Sequence, residues 1–237
     1  DIAIDLMGYT LNNRMNIFSY RVAPIQINYL GLEGTTGSKE MDYLIADKIT
    51  IPKEFSNFYS EKILYMPNCY MPFSNNNIIP AKLFKKRDFD LPEDSFVLAA
   101  FHGIHKITTR EISSWSRVLK EVNNAILWIS EPTEISKNNL INLFKDKGID
   151  TNKIYFAKRM ETREDHLSRH SCADLFIDTF NFNACSTAMD ALWLELPLVT
   201  LMGKSFIARI SGSLLTNLGL TDLVAHSTYE YEEIIIR

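Results

Sequence analysis

The sequence predicts an α/β protein built on a parallel sheet with helical crossovers. Three observations predict it: short apolar runs of strand length, amphipathic helical patterns between them, and the regular alternation of the two after Pro92. The clearest unit is 174–201, DLFIDTFNFNACSTAMDALWLELPLVTL. An apolar run at 175–177 is closed by Asp178, a polar loop follows to Cys185, a helical pattern covers 186–195, and a second apolar run fills 196–201. Strand, loop, helix and strand in that order form one βαβ repeat.

Taken from the start, residues 2–7 read as a strand, followed by the turn Gly8-Tyr9-Thr10, a helix over 14–20 and a strand over 24–30. Pro24 opens that strand, where its missing N–H does least harm. The loop 31–38 carries Gly31, Gly34 and Gly37 among several hydroxyls at a strand end. Such a loop either approaches a ligand backbone-first or serves as a structural turn. Further strands are expected at 42–46 and 62–66. From Asn68 to Asp94 the pattern breaks: the polar run 74–77, Pro80 and the basic residues Lys82, Lys85, Lys86 and Arg87 read as a linker with a solvated surface. The expected division is 1–78, a linker at 79–94, and a second domain at 95–237.

Beyond Pro92 the repeats follow closely: strand 96–101, then an amphipathic helix 109–122 with Ile112, Trp115, Val118 and Leu119 at helical spacing. Strand 125–130 leads to helix 137–147, stopped by Gly148, and strand 154–157 leads to helix 163–173. After the 174–201 unit come a helix at 207–218, a short strand at 222–225 and a final helix. This is a doubly wound α/β domain with right-handed crossovers.

Composition sets limits on function. The 237 residues are 46% hydrophobic and 23% charged with a net charge of −4, which suits a soluble globular protein and argues against a general nucleic-acid binder. No apolar run approaches a membrane span and no signal-peptide pattern is present, so a cytoplasmic protein with no membrane partner is expected. Cys69, Cys172 and Cys185 form no Cys-x-x-Cys pair, and the His166/His170 pair lacks the Glu of a metalloprotease helix, so no metal site is implied. The chain starts at Asp1 directly in a strand pattern and ends at Arg237 in a helical one. It therefore reads as a fragment.

Ligands of such sheets bind beyond the carboxyl ends of the strands. Three groups converge there. The loop after the first strand of the second domain, His102-Gly103-Ile104-His105-Lys106, offers a cation. Helix 163–173 offers His166 and Arg169, a flat ring and a planar cation suited to a base or ribose. The corner Asn183-Ala184-Cys185-Ser186-Thr187-Ala188-Met189-Asp190 offers small and hydroxylated residues at a helix start, where phosphates bind, with Asp190 a turn further on to accept ribose hydroxyls. The same corner also reads as an ordinary helix with Ser186 as its N-cap. No GxGxxG or Walker loop is present, which removes the main support for dinucleotide-oxidoreductase and P-loop readings.

These residues, together with Met7-Gly8-Tyr9-Thr10, Ala23-Pro24-Ile25-Gln26, Leu30-Gly31, Gly34-Thr35-Thr36-Gly37, Met41-Asp42-Tyr43, Tyr59-Ser60-Glu61-Lys62, Lys106-Ile107 and 187–193, resemble the catalytic region of the protein O-linked N-acetylglucosamine transferase family, including its bacterial tetratricopeptide-linked relatives. The resemblance implies a two-lobed glycosyltransferase of the B type: a partial amino-terminal Rossmann-like lobe and a complete carboxy-terminal one that binds a UDP-sugar. It further implies inverting, metal-independent transfer of N-acetylglucosamine from UDP to Ser or Thr hydroxyls of an acceptor protein, no separate cofactor, and tetratricopeptide repeats upstream. By position, Lys106 matches the lysine that neutralises the diphosphate, His166 and Arg169 the uridine-side residues, Ser186 and Thr187 the phosphate-binding pair, and Asp190 the ribose carboxylate. Two positions depart from the family: Cys185 replaces a histidine near the sugar and Gly103 replaces a glutamine, which thins the contacts at the sugar end. A UDP-sugar epimerase, a small-molecule glycosyltransferase on the same fold, and a non-catalytic lobe that binds a UDP-sugar or a partner are the alternatives.

Overall fold

A computed structural model describes residues 1–74, 80–81 and 83–237. Asn75 to Asn77 of the polar run, Lys82 of the basic run and the expected boundary at 78–79 lie outside the described residues. Two parallel sheets organise the remainder. The first pairs β1 (Ile2–Asp5), β2 (Ile25–Asn28), β3 (Tyr43–Ala46) and β4 (Lys62–Tyr65) in that order. The second contains β5 (Phe96–Ala100), β6 (Ala125–Ser130), β7 (Ile154–Ala157), β8 (Leu175–Ile177), β9 (Leu198–Leu201) and β10 (Val224–Ala225), ordered β10-β9-β8-β5-β6-β7.

That order explains where a ligand can sit. The chain builds outward from β5 to β7, returns to place β8 on the other side of β5, and then builds outward again. The connections therefore diverge between β5 and β8 and leave a crevice at their carboxyl ends.

The helices are α1 (Thr109–Glu121), α2 (Glu134–Asp146), α3 (Arg163–Ser168), α4 (Ser186–Trp193), α5 (Ile210–Asn217) and α6 (Thr228–Ile236). Both faces of the second sheet are covered, so its strands are apolar at successive positions. Leu98, Leu127 and Ile129 point to one side, against the Trp115 and Leu119 stripe of α1; Val97, Ile126 and Trp128 point to the other. Among the described residues no helix is long and apolar enough to cross a membrane.

Several expectations shift at element ends. The strand expected at 196–201 starts at Leu198, because Glu195 takes a left-handed conformation (φ 60°) just after α4. The helix expected over 163–173 tightens into a 3-10 turn at Arg169–Cys172, and the one expected at 14–20 is a 3-10 helix, Met15–Tyr20. Residues 83–94 pack on the second sheet. The Phe84 and Phe89 rings lie 5.1 Å apart, Phe89 meets buried Trp128 at 4.9 Å, and Lys86 Nζ donates to the Ser95 carbonyl at 2.6 Å. The basic run is thus not purely solvated.

The two sheets share a third core, in which Leu44, Ala46, Ile51 and Tyr70 receive Phe206 and Ile210 from the carboxy-terminal side. Polar contacts reinforce it: Ser213 Oγ donates to buried Asp47 at 2.6 Å and Arg209 Nε to the Ile49 carbonyl at 2.6 Å. The 31–38 loop closes over the first sheet and docks on the turn after β1. A Cβ added at Gly31 would lie 2.1 Å from the Met7 carbonyl carbon.

At the carboxyl ends of β5 and β8 lies a row of rings. His102 stands edge-on to Phe176 at 5.1 Å, His170 edge-on to Phe101 at 5.2 Å, and His166 edge-on to His170 at 5.2 Å. Burial is the first cause that holds all three imidazoles neutral, His102 and His170 down at about 4 and His166 at about 3.

Two outcomes follow. Gly31→Ala should lower unfolding stability by at least about 2 kcal/mol in urea titration, because the clash is with backbone and cannot be relieved by a rotamer change. Acid should weaken the fold. Below pH 6.5 the unfolded chain protonates three histidines that the native chain keeps neutral, so stability falls as pH drops. Asp178, raised to about 6 mainly by burial, and Glu33, also raised by burial, act oppositely, but with two carboxyls against three imidazoles. The urea midpoint should therefore fall from pH 7 to pH 5, and His102→Gln should flatten that slope.

Candidate functional site

The site is built around the corner that joins β8 to α4. Asp178 ends β8 fully buried, and its carboxylate gathers the loop onto itself. It accepts from the Thr179 N–H at 2.8 Å, the Ala184 N–H at 2.7 Å and the Thr200 hydroxyl at 2.7 Å. Asn183 adds two ties: its side-chain amide donates to the Thr179 carbonyl at 2.7 Å, and its N–H donates to the Ile207 carbonyl at 2.8 Å. Ser211 Oγ donates to the Ala184 carbonyl at 3.0 Å. The backbone entering α4 is thereby fixed before any ligand arrives.

Cys185, rather than Ser186, occupies the N-cap of α4, and no side chain caps the helix there. The reading of an ordinary Ser186-capped helix is corrected on this point. The first intrahelical bond runs from the Met189 N–H to the Cys185 carbonyl. Exposed Ser186 and half-buried Thr187 carry their hydroxyls on the open first turn, at the positive end of the helix dipole.

The loop after β5 brings the cation to this corner. His102 Nε2 meets the Ile177 carbonyl at 2.9 Å, and a 3-10 turn, Ile104–Lys106, then carries Lys106 across the crevice. Its Nζ donates to the Asn183 carbonyl at 2.9 Å and lies 3.7 Å from the centre of the Phe182 ring. Burial lowers the ammonium's pKa, while Asp178, Cys185 and Glu33 raise it. Glu111, buried in the first turn of α1, closes the arrangement. It accepts from the Thr108 N–H on its own side and from the Phe180 N–H at 2.9 Å on the other.

On the far side of α4, Asp190 faces α3. The Arg163 guanidinium reaches its carboxylate at 2.7 Å, and His166 Nε2 lies 3.8 Å away. The latter distance is within ion-pair range, yet the depressed imidazole is neutral near pH 7, so the contact is polar rather than ionic. A carboxylate has about four acceptor positions, and Arg163 takes one on each oxygen of Asp190. Arg163, His166 and Arg169 border a cavity of about 440 Å³ together with Ala157 and Thr162. Arg169 does not present a free guanidinium: it is 4% exposed, lies 4.2 Å from the Phe101 ring centre and donates to the Lys158 carbonyl at 2.9 Å. It supports the cavity wall, and the cation in front is Arg163.

The amino-terminal lobe contributes Glu33, from the 31–38 loop. The Tyr70 hydroxyl donates to Glu33 Oε1 at 3.3 Å and the Cys185 thiol approaches the same oxygen at 3.7 Å. Burial raises both acids, holding the Glu33 carboxyl above the usual carboxylate range and pushing the Cys185 thiol up to about 12. Gly103 caps the Lys106 turn on its amino side in extended conformation. The structure thus brings Gly103, Lys106, Cys185, Ser186 and Thr187 to one crevice, with His166 and Asp190 at its other end. Sequence reading missed Arg163, one helical turn before His166, and Glu33, whose position between two glycines of a strand-end loop was the only signal.

Comparison with known proteins agrees with this architecture. The sequence model of glycosyl transferase family 41 matches residues 1–86 and 74–237. A probable UDP-N-acetylglucosamine–peptide N-acetylglucosaminyltransferase SEC of Arabidopsis thaliana is 33% identical over 98% of this chain, and the SPINDLY protein of Solanum lycopersicum is 27% identical over all of it. The chain spans about a quarter of the length of these curated relatives, 24% and 26%. Among solved structures, a mutant O-GlcNAc transferase of Thermobaculum terrenum superposes on the whole chain with a TM-score of 0.86 at 26% identity, matching 44% of that protein. The fold is that of a two-lobed B-type glycosyltransferase. With family model, relatives and fold in agreement over its full length, the chain belongs to glycosyl transferase family 41.

Proposed function

We propose that this chain forms the donor site of an enzyme that transfers N-acetylglucosamine from a UDP donor to Ser or Thr hydroxyls of proteins, with inversion and without a metal ion. One observation carries the reading: at the switch point of the sheet, Lys106 Nζ sits on the Asn183 carbonyl, three residues before the open start of α4. The names of the relatives, UDP-N-acetylglucosamine–peptide N-acetylglucosaminyltransferases, support the choice of donor and acceptor.

The bond that breaks joins the anomeric carbon to the β-phosphate oxygen, so negative charge grows on departing UDP. Lys106, the first-turn N–H groups of α4 and the Ser186 and Thr187 hydroxyls supply fixed donors for that charge, the role a divalent ion fills elsewhere. The dipoles are set in advance by the Asp178 hub, so little reorganisation is needed as charge develops. At the other end, Asp190 takes the ribose hydroxyls, neutral His166 offers an uncharged face to the nucleoside, and Arg169 stiffens the wall from behind. The acceptor hydroxyl attacks from the side opposite UDP, which inverts the anomeric centre.

In the full-length protein, Lys106→Ala should cost at least ~100-fold in turnover, in line with the loss of one preorganised electrostatic partner. Near-normal turnover would remove Lys106 from the mechanism. Calorimetric titration should show UDP binding preferred over other nucleoside diphosphates and unchanged by magnesium; a strict magnesium requirement would overturn metal-independent binding.

A further inference from the structure

We propose that Glu33 is a donor-sugar specificity residue, its carboxylate accepting hydrogen bonds from hydroxyls of the sugar carried on UDP. This rests on the UDP-sugar reading above and adds a residue from the opposite lobe to it.

The ordering of groups along the crevice places the sugar there. Asp190 and His166 mark the ribose end, Ser186 and Thr187 the phosphates, and Cys185 comes next in the direction away from the ribose. Cys185 Sγ faces Glu33 Oε1 at 3.7 Å, across 152 residues of sequence, with Met71 Sδ beside it at 3.9 Å. A sugar on the β-phosphate therefore extends toward the Glu33 carboxylate.

Two carboxylates on neighbouring strands and loops allow a comparison. Glu61 is saturated: it accepts from the Thr36 N–H at 2.6 Å, the Thr35 hydroxyl at 2.7 Å and the Thr36 hydroxyl. Those bonds hold its pKa below the usual carboxylate range even though burial pushes it up. Its work is to fasten the 31–38 loop, which Tyr9 Oη also pins through the Thr36 carbonyl at 2.8 Å and Asn28 through the Gly34 carbonyl at 3.2 Å. Glu33 sits on that fastened loop in the opposite condition. Among the described residues its side-chain partners are Tyr70 and Cys185, both on Oε1, at 3.3 and 3.7 Å. Strong O–H···O⁻ bonds are 2.5–2.7 Å long in general. No Lys or Arg among the described residues is within ion-pair distance of Glu33. Its own backbone N–H also bonds the carboxyl, but the side-chain partners are long, so a half-buried carboxylate on a fastened loop keeps acceptor capacity for hydroxyl donors.

The class of sugar follows from the charge. A neutral sugar with free hydroxyls satisfies Glu33, whereas a uronic acid would place a second carboxylate against it. Bare UDP gains nothing from Glu33 and is repelled by it.

The test compares full-length wild type with Glu33→Gln, which keeps the shape, by calorimetry with UDP, UDP-N-acetylglucosamine and UDP-glucuronic acid. Thermal melts confirm the fold, and Glu33→Asp is the conservative control. Glu33→Gln should weaken UDP-N-acetylglucosamine about tenfold or more, leave UDP equal or tighter, and narrow the discrimination against UDP-glucuronic acid. Glu33→Asp should recover part of the loss. Equal losses for UDP and UDP-N-acetylglucosamine would show a structural role and overturn the assignment, as would unchanged UDP-N-acetylglucosamine binding with wild-type discrimination. Failure of the wild type to bind UDP at all would instead overturn the donor-site reading itself.

Discussion

The corner between β8 and α4 depends on one buried carboxylate. Asp178 is raised to about 6 yet remains ionised near neutral pH, and three donors converge on it, two from the six-residue loop that follows and one from Thr200 on β9. Such a loop, left to itself, would sample many conformations at an entropic cost to any ligand that needed one of them. Anchored on Asp178, the backbone presents the Asn183 carbonyl to Lys106 and the open first turn of α4 to the crevice in one arrangement. The Tyr231 hydroxyl donates to the Asp178 carbonyl at 3.0 Å, so the last helix is also fixed to this point.

Charge along the crevice is sorted by position. Lys106 lies in the middle, the Arg163–Asp190 ion pair stands at one end toward α3, and the Glu33 carboxyl stands at the other on the amino-terminal lobe. The histidines between are kept uncharged by burial, with the nearby arginines and Lys106 adding to the effect. An anionic group at the centre meets a cation there, whereas one at the Glu33 end meets a carboxyl.

The carboxy-terminal sheet was legible because its strands are covered on both faces, so 125–130, 154–157 and 175–177 appear as unbroken apolar runs of the right length. The amphipathic stripe of α1 was legible for the complementary reason. Element ends were not, since Glu195 adopts the left-handed conformation with no glycine to signal it. At the candidate site, the positions of Lys106 beside the β8–α4 corner and of Ser186, Thr187 and Asp190 on α4 were legible from loop position and helix-start pattern, which are local properties. The Arg163–Asp190 pair spans 27 residues and the Glu33–Cys185 contact 152, and nothing local encodes either partnership. Arg169 shows the converse: its spacing is right for the pocket, but the Phe101 ring and Lys158 carbonyl claim its guanidinium.

Phe206 and Ile210 lodge among Leu44, Ala46, Ile51 and Tyr70, and two strong polar ties flank them. Lobes joined by a continuous apolar core resist hinge opening far more than lobes joined by a linker alone. The seating of Glu33 against Cys185 is therefore set by packed side chains shared between the two sheets, since Cys185 itself lies against that core.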